Sequence, residues 1–133
     1  MAVFADSTQF LTVMQALFAR MERENPQAAE SMLKAKLGVR LRCRNPVAEI
    51  VFDGRERPLT ISYSANGFKP DLDVTVEGDA LHHILLGDLR LTKAVGSKQL
   101  IPDGPIWKVM PLADLFRQAQ TIYPEVAQAH GIG

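Results

Sequence analysis

Leu72-Asp73-Val74-Thr75-Val76-Glu77-Gly78-Asp79-Ala80-Leu81-His82-His83-Ile84-Leu85-Leu86-Gly87 changes its hydrophobic period in the middle. Leu72, Val74 and Val76 alternate with Asp73, Thr75 and Glu77, the period-two signature of a strand with one dry and one wet face. Beyond Glu77 the period lengthens. Leu81, Ile84 and Leu85 fall on one side of a helix, Asp79 reads as its N-cap, and Gly87 is placed to end it in the left-handed conformation. A half-wet strand running directly into a half-apolar helix predicts a sheet covered by helices on its dry face.

The same alternation recurs upstream. Val47 to Phe52 meets the turn pair Asp53-Gly54 and is answered after Pro58 by Leu59, Ile61 and Tyr63 alternating with Thr60, Ser62 and Ser64, which predicts a hairpin. Asn66-Gly67 turns the chain again. Nearer the start, Phe10, Met14, Leu17, Phe18 and Met21 recur at helical spacing, and Asp6 with Gln9 reads as a cap, giving a helix over Ser7 to Glu24. Asn25-Pro26 opens a second, shorter helix carrying Ala29, Met32 and Leu33, stopped at Gly38. Downstream of Gly87, Leu89, Leu91, Ala94 and Val95 fit helix or strand equally, and Leu100-Ile101 reads as a short strand ended by Pro102. Pro111 opens a last helix with Leu112, Leu115, Phe116, Ala119 and Ile122 on one face, ending before Pro124. Helices, strands, helix, mixed segment and helix follow one another, an α+β order.

Composition sets the outer bounds. At 133 residues and 47% hydrophobic, 23% charged content, residues 1–133 read as one domain with a packed core. Lys and Arg balance Asp and Glu, 15 against 15, so there is no global field to draw a nucleic acid, and nucleic acid is not an expected partner. Cys43 is the only cysteine, which suits a reducing compartment. No apolar run approaches the roughly 20 residues of a membrane span, Met1 to Asp6 carries no secretory signal and Ala129 to Gly133 no peroxisomal address, so the expected location is the cytoplasm.

Asp71 to Val76, then Glu77, Gly78, Asp79, Ala80 and Leu81 leading to Gly87, Asp88 and Leu89, resembles the sterol carrier protein 2 family where its third strand enters a short helix ending in Gly. Ala94, Val95 and Gly96, then Gly104, Val109, Leu112, Leu115 and Phe116, resemble that family's small-residue segment before its C-terminal helix. The resemblance runs from about Phe10 to Ile122. It implies a mixed sheet of about five strands covered on one face by helices, an apolar cavity between them, and non-catalytic binding or transfer of a lipid: a fatty acyl chain, a sterol-like molecule or an isoprenoid. Ser97 to Gln99 and Pro102 to Pro105 depart from the family's regular last strand, because proline cannot donate to a ladder.

A lipid tunnel needs apolar and adaptable walls. Met14, Phe18, Ile50, Phe52, Leu85, Leu89, Trp107, Met110, Leu115 and Phe116 are the candidate lipid-binding residues, with Trp107 placed at a wall or mouth because indole suits a site with one apolar and one wet end. The same side chains would equally fill a solid core. Lys34, Lys36, Arg40, Arg42 and Arg44 form a basic run that either touches an anionic membrane transiently or forms an outward-facing strand edge. His82 and His83 are adjacent and point about 100° apart on a helix, so they do not chelate one ion, and no zinc, calcium, Walker or nucleophile-elbow pattern occurs. No catalytic residue, metal or cofactor is expected. Two other readings use the same residues: an accessory factor presenting a prenylated quinone precursor to partner enzymes, and an interaction or homodimerisation module whose core is filled.

Overall fold

The computed structural model describes residues 2–64 and 66–132; Met1 and Gly133, at the tips of the two terminal stretches read for targeting signals, and Ala65 lie outside them. The expected first helix forms over Ser7–Glu24 (α1). Asp6 caps it by accepting the Gln9 backbone N–H at 2.8 Å, and the Gln9 side chain accepts the Ala5 N–H at 2.6 Å, so two otherwise unpaired donors are satisfied. The second helix departs from its expected course. Pro26–Ala29 is a 3₁₀ turn, Glu30–Lys34 (α2) is a single α-helical stretch, and Lys36, not Gly38, takes the left-handed position that ends it, at φ 49°.

Gly38 instead opens the first of five strands: Gly38–Arg44 (β1), Ala48–Asp53 (β2), Thr60–Ser62 (β3), Leu72–Glu77 (β4) and Leu100–Asp103 (β5). Their order across the sheet is β3-β2-β1-β4-β5, with β1 and β4 parallel and every other pair antiparallel. The arginine-rich segment is therefore the centre of the sheet and no edge. Its alternate residues Val39, Leu41 and Cys43 are buried beside Leu72, Val74 and Val76 on the helix-covered face. Arg40 and Arg42 reach Asp73, and Arg44 reaches Glu77 at 3.1 Å, on the open face. The three arginines of the basic run are thus paired with acids of the strand beside them, while Lys34 and Lys36 lie before β1 and outside this pairing.

Gly78–Leu86 (α3) follows β4 without a loop, and Gly87 ends it at φ 88°, as its sequence predicts. Its N-cap position belongs to Glu77, not Asp79. Asp79 lies in the first turn, where an acid complements the helix dipole, and accepts the Val3 N–H at 2.9 Å. The mixed segment resolves into a helix, Leu91–Gly96 (α4), leading into β5. A 3₁₀ turn over Ile106–Lys108 precedes Val109–Ala119 (α5), and Pro124 starts one more helix, Tyr123–Ala129 (α6), where a stop was expected. Proline's fixed φ serves a first turn as well as it blocks an interior.

The core lies between the dry sheet face and α1, α3, α5 and α6. An edge-to-face series of rings runs through it, Phe18 to Phe52 at 5.3 Å and Phe52 to Phe116 at 6.4 Å between centroids. One polar pair is buried with it. His82 is 3% exposed, and its Nδ1 shares a 2.7 Å hydrogen bond with the Tyr123 hydroxyl, pinning α6 to α3.

Burial holds the His82 imidazole below its ordinary range; His83 adds to the effect, and Asp88 and Asp79 oppose it. Above the ordinary histidine pKa of about 6.5 the ring is neutral in both folded and unfolded chains and adds no pH dependence. Below it the unfolded chain takes the proton first, so stability falls as pH falls through that range. Denaturant midpoints taken at about pH 7.5 and about pH 5 should drop more for the wild type than for His82→Gln, which keeps a hydrogen-bonding group that does not titrate. Equal drops would place the titration elsewhere.

Candidate functional site

Leu59, Ile61 and Tyr63 face the helix layer from β3 and the segment before and after it, yet all three are only half-buried. Above them the helices offer little to fill the space, because Ala19 of α1 and Ala28 and Ala29 of the 3₁₀ turn present only methyl groups. The result is a cleft of about 850 Å³ at the β3 edge of the sheet, open to solvent on one side. This volume is in the range of small-molecule sites, roughly 300–1,000 Å³. Phe18, Met21, Leu33 and Leu115 complete its inner wall with Pro26 and Pro58 near its rim, and the remaining lining residues are Gln15, Glu22, Asn25, Glu30 and Arg57. A lining that is mostly apolar with a few polar groups suits a ligand with a hydrophobic body.

The β2–β3 loop forms one lip of this cleft and is tied down at both ends. Gly54 donates its N–H to the Leu37 carbonyl at 2.9 Å, and a Cβ there would stand 2.8 Å from the Met32 carbonyl oxygen, so only glycine allows the approach. At the far end the Arg57 guanidinium forks onto both carboxylate oxygens of Glu30, at 3.1 and 2.6 Å. That bond holds Glu30 below the usual carboxylate range, with burial acting the other way. Its partners are 62% and 39% exposed, so the pair contributes little to stability and acts chiefly by fixing the lip against α2. Burial pushes the Tyr63 hydroxyl up to about 12, which keeps it a neutral donor beside the apolar wall.

The candidate lipid-binding residues divide among four places. Phe18 and Leu115 line the cleft. Leu89 and Phe116 line a second, smaller cleft of about 290 Å³ between α3, α4 and α5, whose walls also carry Arg90, Arg117 and Gln120. Met14, Ile50, Phe52 and Leu85 are packed into the core at 0–1% exposure, and the Phe52 ring stands between Phe18 and Phe116. Trp107 and Met110 lie on the surface, 68% and 62% exposed. Alternation did mark Leu59, Ile61 and Tyr63 as a dry face. The alanines that leave the space open carry no pattern of their own.

Other reactive groups are quiet. Cys43 is buried in β1, and burial pushes its thiol up to about 12, with Glu77 and Asp79 adding to the effect, so it stays protonated. Among the described residues no three His, Cys, Asp or Glu side chains are grouped to hold a metal ion, and no helix is long and apolar enough to cross a membrane.

No protein-family model matches the chain, and no curated protein matches it significantly. Solved structures do. The sterol carrier protein domain 2 of Helicoverpa armigera superposes with a TM-score of 0.66 at 23% identity, covering 85% of this chain and 89% of that one. Sterol carrier protein 2 of Yarrowia lipolytica, in its apo form, gives 0.63 at 16% identity over 90% and 95%. The sterol carrier protein 2 domain of UbiJ, a ubiquinone synthesis protein, gives 0.59 at 18% over 80% and 87%. The chain therefore has the sterol carrier protein 2 fold, a mixed five-stranded sheet with helices on one face.

If the cleft is open space, added volume there is tolerated. Ala29→Phe should change stability by no more than about 0.5 kcal/mol. Ala94→Phe, in the fully buried face of α4, should cost about 1–3 kcal/mol or more through overpacking. Equal losses in the two variants by chemical denaturation would mean that the cleft is closed in solution.

Proposed function

We propose that residues 1–133 act as one domain that binds and carries a hydrophobic lipid, with a fatty acyl, sterol-like or isoprenoid body, in the cleft between β3, α1 and α2, without chemistry of its own. The observation that carries this reading is the apolar cleft of about 850 Å³ on a fold shared with sterol carrier proteins. Each methylene moved from water into such a cleft contributes about 0.8 kcal/mol, so a chain of ordinary length is held by burial alone, and shape selects it more than hydrogen bonding does. Phe18 and Leu115 form the wall, Tyr63 offers one hydroxyl, and the Arg57–Glu30 pair holds the lip. A reducing cytoplasm is the proposed setting, since Cys43 has no partner with which to form a disulfide within the chain.

A second reading keeps the cleft and changes the recipient: a factor that presents a prenylated quinone precursor to enzymes. The likeness to UbiJ supports it. It differs in needing a protein partner, which pull-down from a native extract would retain.

Native mass spectrometry of the purified protein, followed by organic extraction, should find a lipid bound at one per chain or uptake of a fluorescent fatty acid or sterol at that ratio. Ala29→Phe, which fills the cleft, should lower the uptake several-fold while thermal stability holds. A clean ligand-free mass with no uptake of either probe would overturn the carrier reading and leave a fold that serves as an interaction module.

A further inference from the structure

We propose that the turn Ile106 to Met110 is a docking surface for an anionic membrane. Ile106, Trp107 and Met110 are 59%, 68% and 62% exposed and fall within one turn, whereas the neighbouring Val109 and Leu112 are buried and anchor that turn to the core. The exposed three thus form one outward face on a rigid support. Lys108 lies with its ammonium 5.5 Å from the centre of the Trp107 ring, the arrangement in which a long cation keeps its head in water while an indole enters the interface.

Most of the charges around this turn that form no ion pair are basic. Gln118 accepts from Asn25 at 3.1 Å and Asp114 from Ser31 at 2.5 Å, so α5 and α2 run antiparallel and the start of α5 lies beside the end of α2, where Lys34 and Lys36 are exposed. Lys108 donates to the Asp71 carbonyl at 3.4 Å, and Asp71 in turn donates its N–H to Gly38, next to the Lys36 turn and two residues from Lys69. Among the described residues none of Lys34, Lys36, Lys69 and Lys108 forms an ion pair. The nearby acids are already engaged, Asp71 by Arg55, Glu30 by Arg57 and Asp114 by Arg117, while Asp103, the last residue of β5, forms no ion pair among the described residues.

Size decides between a membrane and a second protein. Three side chains on one turn fall far short of the roughly 800 Å² per partner of a stable protein interface. A few interfacial anchors with several lysines suffice for reversible attachment to an anionic bilayer, where each basic residue near the surface contributes about 1 kcal/mol. The two helices whose ends meet at this turn also line the cleft through Leu33 and Leu115, so docking sets the cleft beside the membrane. The purpose of docking rests on the carrier reading; the docking itself does not.

Trp107 is the only tryptophan, so its emission reports on this turn alone. Phosphatidylcholine–phosphatidylserine vesicles should shift the emission of the full chain to the blue and pellet the protein, an effect weakened by salt and by phosphatidylcholine vesicles. Lys108→Gln should bind about fivefold more weakly, the change that about 1 kcal/mol of surface attraction corresponds to. Ile106→Glu, and separately Ile106→Ser in case the acid perturbs the fold, should pellet several-fold less protein with circular dichroism unchanged. Unchanged emission with anionic vesicles, or wild-type binding by a folded Ile106 variant, would overturn the proposal. So would an emission shift that follows protein concentration without vesicles alongside a dimer mass. Uptake of a fluorescent fatty acid from vesicle-free solution reads the cleft separately, so either reading can fail alone.

Discussion

The parallel ladder between β1 and β4 is the constraint from which the rest of the architecture follows. It joins strands separated by a whole hairpin, and its register sets Val39, Leu41 and Cys43 beside Leu72, Val74 and Val76 on one face while Arg40, Arg42 and Arg44 meet Asp73, Thr75 and Glu77 on the other. A slip of one residue would turn the arginines into the core, so burial and ion pairing specify the same register. With β1 and β4 at the centre, the β2–β3 hairpin must hang outward, and β3 becomes a three-residue edge. The close approach of Gly54 to the Met32 and Leu37 carbonyls then fixes where the hairpin loop passes under α2.

The cleft is what remains when that edge is only partly covered. Elsewhere the helices contribute Phe10, Met14, Leu17 and Phe116, large buried side chains that close the core, with Phe116 set against Phe52. At the β3 edge they contribute alanines, and α2 is a single short stretch whose end is turned by Lys36 into β1. Phe18 stands at the boundary, 5% exposed, with its ring against Phe52 on one side and the cleft on the other. Packing density thus changes over one side chain, and the same residue serves as core from one direction and wall from the other.

Most of the elements were legible in the sequence because period and punctuation agree with the tertiary structure. Asp6 and the Phe10 to Met21 spacing specify α1 to its last residue, and the alternation in Leu72 to Glu77 and Gly87's position survive unchanged. The errors share a cause, which is that local signals with two meanings are settled only by neighbours. Arginines alternating with apolar residues read as an edge until β4 supplies Asp73 and Glu77 as partners. Pro124 reads as a stop until Ile122 and Tyr123 are found buried, and Asp79 as a cap until Val3 comes from the other end of the chain to bind it. The cleft was the least legible feature, since a space is defined by side chains that are missing. Only Phe18 and Leu115 among the candidates face it.

Trp107 reads in the sequence as a wall or mouth residue of a tunnel, and in the structure it lies on the surface turn before α5. Its indole suits a boundary with one apolar and one wet side, and inside the protein that boundary would be the cleft mouth. The structure puts it on the outside, which is the observation behind the proposed membrane contact. A net charge of zero argues against long-range attraction, yet fields are screened within about 8 Å at physiological salt, so contact depends on local imbalance. On the open sheet face every arginine of β1 is in an ion pair, whereas among the described residues the lysines at the α2–α5 end form none. A net charge of zero is a sum over the whole chain; the arginines of β1 are paired locally, and the lysines beside the exposed apolar turn are not.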